Sequence, residues 1–120
     1  MTRLSLKKIS DPELEGEFIR RAKALGEVLN LWLPAEKAAE RLIEIEGEMK
    51  SRGYEFRKKL IPLLENADRI VQYYAARELL ALVPERSRQI IEENSKQGDA
   101  IAGDAGMLLY FIDSGIYKSE

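Results

Sequence analysis

Apolar residues recur every three or four positions along most of the chain, and the interruptions of that rhythm divide it into helices. The first begins at Asp11-Pro12, with Asp11 or Ser10 as N-cap and Pro12 in the first helical position. Leu14, Phe18, Ala22, Leu25 and Leu29 share one face of it, and Gly16 and Gly26 weaken it. Residues 30–33 read as a connection. Pro34 opens a second helix, with Ala35, Ala38, Ala39, Leu42, Ile45 and Met49 as its stripe and Gly53 as its stop, after the cations Lys50 and Arg52. A third covers 54–65, turning Phe56, Leu60, Ile61, Leu63 and Leu64 inward. Residues 66–68 are a turn and cap. A fourth covers 69–83, where Val71, Ala75, Leu79 and Leu82 line up, flanked by Ala76, Leu80 and Val83. Pro84 starts a fifth, anchored by Ile90 and Ile91. After a turn at 96–99, a sixth covers 100–113, ended by Ser114-Gly115 and followed by Ile116 and Tyr117. No stretch keeps a period of two, so the expected fold is all-α, with about six helices in antiparallel pairs.

Shifted by thirty residues, the sixth helix overlays the fourth. Val71 meets Ile101, Ala75 meets Ala105, Leu79 meets Leu109 and Leu82 meets Ile112, while Leu60 and Ile61 meet Ile90 and Ile91. Helix pairs repeating at this period point to a short α-solenoid. The expected organisation is one domain over 1–120, with 54–83 the clearest repeat and 84–113 a second.

The segment "LIPLLENADRIVQYYAARELLAL" resembles a HEAT-type repeat through Pro62, Leu63-Leu64, Asn66 and Asp68, Val71 and Ala75-Ala76, although Gln72 stands where that pattern often has arginine. Together with "EGEMKSRGYEFRKKLIPLLEN", "VQYYAARELLALVPERSRQIIEE" and "AGDAGMLLYFIDSGIY", it makes the chain similar to a small bacterial family of stand-alone HEAT-like proteins, domain of unknown function twenty-nineteen. The resemblance implies an all-α, HEAT/armadillo-like superhelix and no established activity. Pro62 is expected to bend the third helix, because apolar spacing runs through it and a bend relieves the clash with the carbonyl four residues back; the competing position is a helix boundary.

Composition narrows the chemistry. The 120 residues contain no histidine and no cysteine, which removes imidazole bases, thiolate nucleophiles and the usual zinc sites. No Gly-rich phosphate loop or nucleophile elbow occurs. The formal net charge of −2 argues against nucleic acid as a partner. Short apolar runs and the lack of an N-terminal apolar segment argue against a membrane and for the cytoplasm. The protein is accordingly expected not to be an enzyme, with no catalytic residues, no cofactor and no metal.

The candidate surface is then one for proteins. In a HEAT-type stack the second helix of each pair lines the inner face, so Tyr74 and Arg77, expected opposite the buried stripe, would be presented to a partner. The positions of the sixth helix equivalent to Tyr74, Arg77 and Ala81 are Asp104, Met107 and Phe111, with Tyr110 and Tyr117 nearby. That helix is apolar nearly all round and should be covered on several sides, either by the tail (Ile116 or Tyr117) or by a homodimer or protein partner. Glu46 and Gln72 fall inside apolar stripes, where pairing with Arg52 or Arg57 or capping of backbone is the expected role. Asp99, Asp104 and Asp113 could in principle hold a hard cation, but Asp99 is better read as a helix cap. Trp32 is expected in the core. The leading function is a non-catalytic protein-interaction module. Alternatives are an immunity or regulatory protein that neutralises an enzyme, a nucleic-acid-binding HEAT-like protein, and a carboxylate-dependent enzyme.

Overall fold

In the computed structural model, which describes residues 3–116, every regular element is helical. The α-helices are α1 (Arg3–Leu6), α2 (Asp11–Asn30), α3 (Glu36–Lys58), α4 (Arg69–Glu78), α5 (Pro84–Ser95) and α6 (Ala100–Asp113), with a 3-10 helix at Ile61–Glu65. The chain divides into two compact units, Met1–Ile61 and Pro62–Glu120.

In the first unit, Ser10 is the N-cap of α2. Its hydroxyl accepts the Glu13 N–H at 3.2 Å and donates to the Glu13 carboxylate at 3.0 Å, satisfying a helix-end donor that would otherwise be orphaned. Leu14, Phe18, Ala22 and Leu25 are buried along the face that their spacing marks. Helix α2 packs on α3, whose inward residues are Leu42, Ile45, Met49 and Phe56. With the cap supplied by Ser10, Asp11 is available to accept from Arg52 and Lys59, at 2.8 and 2.7 Å. Arg52 also binds Glu48 and the carbonyls of Leu6 and Ile9, each at 2.8 Å. One guanidinium thus gathers the end of α1, the start of α2 and the middle of α3. The buried carboxylate of this helix is therefore Glu48, 4% exposed; Glu46, the one expected in the apolar stripe, is only half-buried.

Gly53 breaks the dihedrals of α3 as expected of a stop (φ 82°, ψ −162°), yet helical structure resumes and continues to Lys58. The expected bend at Pro62 does not occur. The α-helix ends four residues before it, and Pro62 sits in the 3-10 helix at a boundary, where its missing N–H costs little.

Trp32 is not in the core: it is 80% exposed. The turn explains why. Trp32 N–H bonds to Leu29 O (3.1 Å) and Leu33 N–H to Val28 O (3.0 Å), a Schellman closure of α2 that holds residue 32 in the left-handed region at φ 57°. Beyond the last turn of the helix, the side chain has left the buried stripe.

In the second unit the 3-10 helix buries Leu63 and Leu64. Asp68 caps α4 by accepting the Ile70 N–H at 2.8 Å. Helix α4 stops at Glu78 rather than at 83. Val83, just before Pro84, is non-helical (φ −132°, ψ 69°), and Leu79 and Leu80 are buried from a turn rather than from the helix. Helix α5 packs against both α4 and α6. The thirty-residue correspondence holds for its first two pairs, with Val71, Ile101, Ala75 and Ala105 fully buried, but not further on: Leu79 is buried while Leu109 is only half-buried and Leu108 takes the inward place, and Leu82 and Ile112 are both half-buried. Gln72, half-buried, donates to Leu64 O at 3.0 Å, a backbone-capping role.

The chain's only tryptophan reports directly on residue 32. Its fluorescence should peak close to that of free tryptophan in water and be quenched by iodide. Left-handed backbone costs a non-glycine residue about 1–2 kcal/mol, and glycine's extra unfolded-state freedom returns about 0.5–1 kcal/mol of that. Trp32→Gly should therefore raise Tm by a few degrees; a blue-shifted emission or a lowered Tm would contradict this placement.

Candidate functional site

Helix α6 is held at both ends by arginines. At its start, the Asp99 carboxylate caps the helix by accepting the Ala102 N–H at 3.0 Å and takes a two-pronged contact from Arg69, at 2.5 and 3.0 Å. The same guanidinium donates to Asn94 at the end of α5 (2.6 Å), and the buried Asn94 amide donates in turn to Ile90 O. At the far end, Arg88 of α5 grips Asp113 at 2.8 and 3.1 Å and Glu92 at 2.6 Å. Between these ends, the hydroxyl of fully buried Tyr73 in α4 donates to Asp104 Oδ2. Arg77 Nη1 lies 3.5 Å from the same oxygen, and its guanidinium carbon sits 5.4 Å from the Tyr74 ring centre.

Held this way, α6 buries Ile101, Ala105 and Leu108 and turns Met107 (60% exposed) and Tyr110 (65%) outward. Phe111 is half-buried, its ring edge-on to Tyr110 at 5.8 Å. Arg77, Asp104, Met107, Leu108 and Phe111 line a groove of about 180 Å³.

Of the residues proposed from sequence for an interaction surface, Arg77, Met107 and Phe111 meet in this groove and Tyr110 stands beside Phe111. Tyr74 does not belong to the surface. It is 1% exposed, edge-on to Tyr73 at 5.2 Å. Val71, Tyr73, Tyr74, Ala75 and Ala76 are all buried, so α4 is enclosed around most of its circumference, and a single-stripe reading fails there. Tyr117 lies outside the described residues. Ile116 is itself exposed, and Met107 and Tyr110 on the outer face of α6 stay more than half exposed. The thirty-residue shift that sets Met107 and Phe111 against Arg77 and Ala81 also sets Asp104 against Tyr74, but it does not signal the contact of Asp104 with Tyr73. The three aspartates do not converge: Asp99 is held by Arg69, Asp104 by Tyr73 and Arg77, and Asp113 by Arg88. Among the described residues no three acidic side chains are grouped to hold a metal ion.

The electrostatics follow these contacts. Hydrogen bonds from Arg69, opposed by partial burial, hold the Asp99 carboxyl below its ordinary range, and those from Arg88 do the same for Asp113. Burial, reinforced by the neighbouring Asp104 charge, pushes the Tyr73 hydroxyl well above the usual tyrosine value.

These features define a small all-α protein with an open apolar helix face and no grouped metal ligands among its described residues. The chain belongs to the family described as Domain of unknown function (DUF2019), whose model matches residues 31–113. It is similar to the protein RPA1889 from Rhodopseudomonas palustris CGA009, known from a crystal structure, at 28% sequence identity and a TM-score of 0.80, covering 96% of this chain and 98% of that one. No curated protein matches it. Among the described residues no helix is long and apolar enough to cross a membrane.

Two pH dependences follow. Because the folded-state pKa of Asp99 is depressed, the unfolded chain binds its proton first as pH falls. The stabilisation is complete above about pH 5 and fades from about pH 4 downwards. Asp99→Asn keeps a capping oxygen but loses the charge facing Arg69. Denaturation at pH 7 should show it less stable by about 1 kcal/mol, with a gap that closes on acidification. For Tyr73 the folded pKa is raised, so its contribution is complete below about pH 10 and is lost as pH rises beyond that. Tyr73→Phe should cost about 1 kcal/mol near neutrality and flatten the alkaline fall in Tm.

Proposed function

We propose that the protein is a non-catalytic interaction module of HEAT-like, α-solenoid type, and that the outer face of α6 is where another protein docks. The observation that carries this reading is the pair Met107 and Tyr110, two large apolar side chains standing more than half exposed on a helix held firmly by its neighbours. The buried thirty-residue correspondence between α4 and α6 supports the repeat architecture, and the lack of histidine and cysteine in the chain supports a non-catalytic role. An immunity or regulatory protein is the form this function takes if the partner is an enzyme.

Charge favours a foreign partner over a two-fold homodimer. Residues 62–120 carry six Lys and Arg against ten Asp and Glu, a net −4. An isologous contact through α6 would set one such unit against another, and like charges across an interface are costly. The same balance disfavours nucleic acid. Burying Met107 and Tyr110 contributes about 1.5–3 kcal/mol each, against an association cost of about 4–15 kcal/mol. Phe111 and Ile116, next along the same helix end, supply further apolar area, and the rest comes from polar contacts.

Gly106 is exposed and has open space at its Cβ position, so a photo-crosslinking side chain placed there sits on the docking face. In the native host it should give a discrete adduct with one protein, lost in Met107→Glu/Tyr110→Glu. That double variant should melt within about 0.5 kcal/mol of the parent, as surface changes do. An adduct at twice the chain mass would mean the homodimer, and no adduct would reject the docking face.

A further inference from the structure

We infer that the docking partner presents a lysine flanked by large apolar side chains, and that the lysine ammonium is received by Asp104 in the α6 groove. This rests on the docking reading above and adds the chemistry of what docks.

The groove has one polar anchor suited to a cation. Asp104 Oδ2 accepts from the Tyr73 hydroxyl and is approached by Arg77, whereas Oδ1 has no hydrogen-bond partner among the described residues. The Asp104 side chain is 43% exposed, so its free oxygen is within reach of a partner. The buried Tyr73 hydroxyl fixes the carboxylate in orientation, which lowers the cost of using it as a recognition element. Beside it, Met107, Leu108 and Phe111 form apolar walls. A lysine suits both halves: its alkyl stem lies along thioether and ring, and its head reaches the carboxylate.

Two features select lysine over other occupants. At about 180 Å³ the groove is smaller than the 300–1,000 Å³ typical of small-molecule pockets, and a single long side chain fits its scale. Oδ2 already receives the Tyr73 hydroxyl and is approached by Arg77, which crowds the second prong of a guanidinium, while a point-like ammonium needs only Oδ1. Arg77 in the groove wall partly offsets the Asp104 charge, but the net −4 of residues 62–120 disfavours an anionic group and draws a basic segment towards this face.

The test is a two-by-two titration followed by amide NMR. The probes are a synthetic amphipathic helical peptide with a leucine and phenylalanine stripe and one central lysine, and the same peptide with glutamine there. The proteins are the parent chain and Asp104→Asn, which keeps an oxygen for the Tyr73 hydroxyl and is checked for an unchanged fold by circular dichroism. The lysine peptide should bind the parent about three- to tenfold more tightly than the glutamine peptide, with shifts concentrated on residues 104–111. The difference should vanish in Asp104→Asn and shrink at high salt. Met107→Glu should weaken the glutamine peptide in particular, by removing an apolar wall. Equal binding of the two peptides to the parent, with shifts on α6, overturns the lysine inference and leaves the docking face intact. Shifts absent from α6 with both peptides overturn the two readings together. An arginine version that binds tighter than lysine overturns the choice of an ammonium.

Discussion

The second unit depends on one guanidinium. Arg69, at the first position of α4, is shared by the N-cap of α6 and by the buried Asn94 at the end of α5. Three helix termini are thereby tied at a point where each would otherwise leave polar groups unsatisfied. A lysine could reach one of these acceptors but could not span them, because the contact uses the planar fork of arginine. Arg52 plays the matching part in the first unit, joining the carbonyls of Leu6 and Ile9, Asp11 and Glu48. In both places a partly buried charge is tolerated because it is fully paired, and loss of one partner would leave the others exposed to the desolvation cost.

What the sequence made legible was local chemistry. Ser10, Asp68 and Asp99 act as caps, Gly53 breaks its helix and Pro84 starts another. Each of these signals is decided within a few residues and needs no knowledge of the rest of the chain. The apolar stripe of α2 was also readable, since it has one well-defined inward face, whereas α6, apolar nearly all round, hides which of Leu108 and Leu109 turns inward. The misplacements arose where burial depends on tertiary surroundings. Tyr74 was set outside because a helical wheel assumes one buried side, and α4 is enclosed on several. Trp32 was set inside because large aromatics usually are, and a Schellman turn carried it out. Pro62 seemed interior because apolar spacing continued, yet the α-helix had already ended and the spacing belonged to a 3-10 segment.

The candidate site was half legible. The apolar excess of α6 marked the element, and the thirty-residue shift picked out Arg77, Met107 and Phe111, three of the groove's five lining residues. The same shift reached Asp104, but not its partner Tyr73, thirty-one residues away and on another helix. A hydrogen bond between a buried phenol and a surface carboxylate leaves no spacing signature.

The two arginine anchors of α6 also bear on how such a surface can change over generations. Because Asp99 and Asp113 secure the helix by its ends, and Ile101, Ala105 and Leu108 by its inner face, positions 107 and 110 are relieved of any part in folding. Substitutions there can accumulate with little penalty to the native state. The outer face of α6 is therefore free to change its side chains while the scaffold beneath it stays the same.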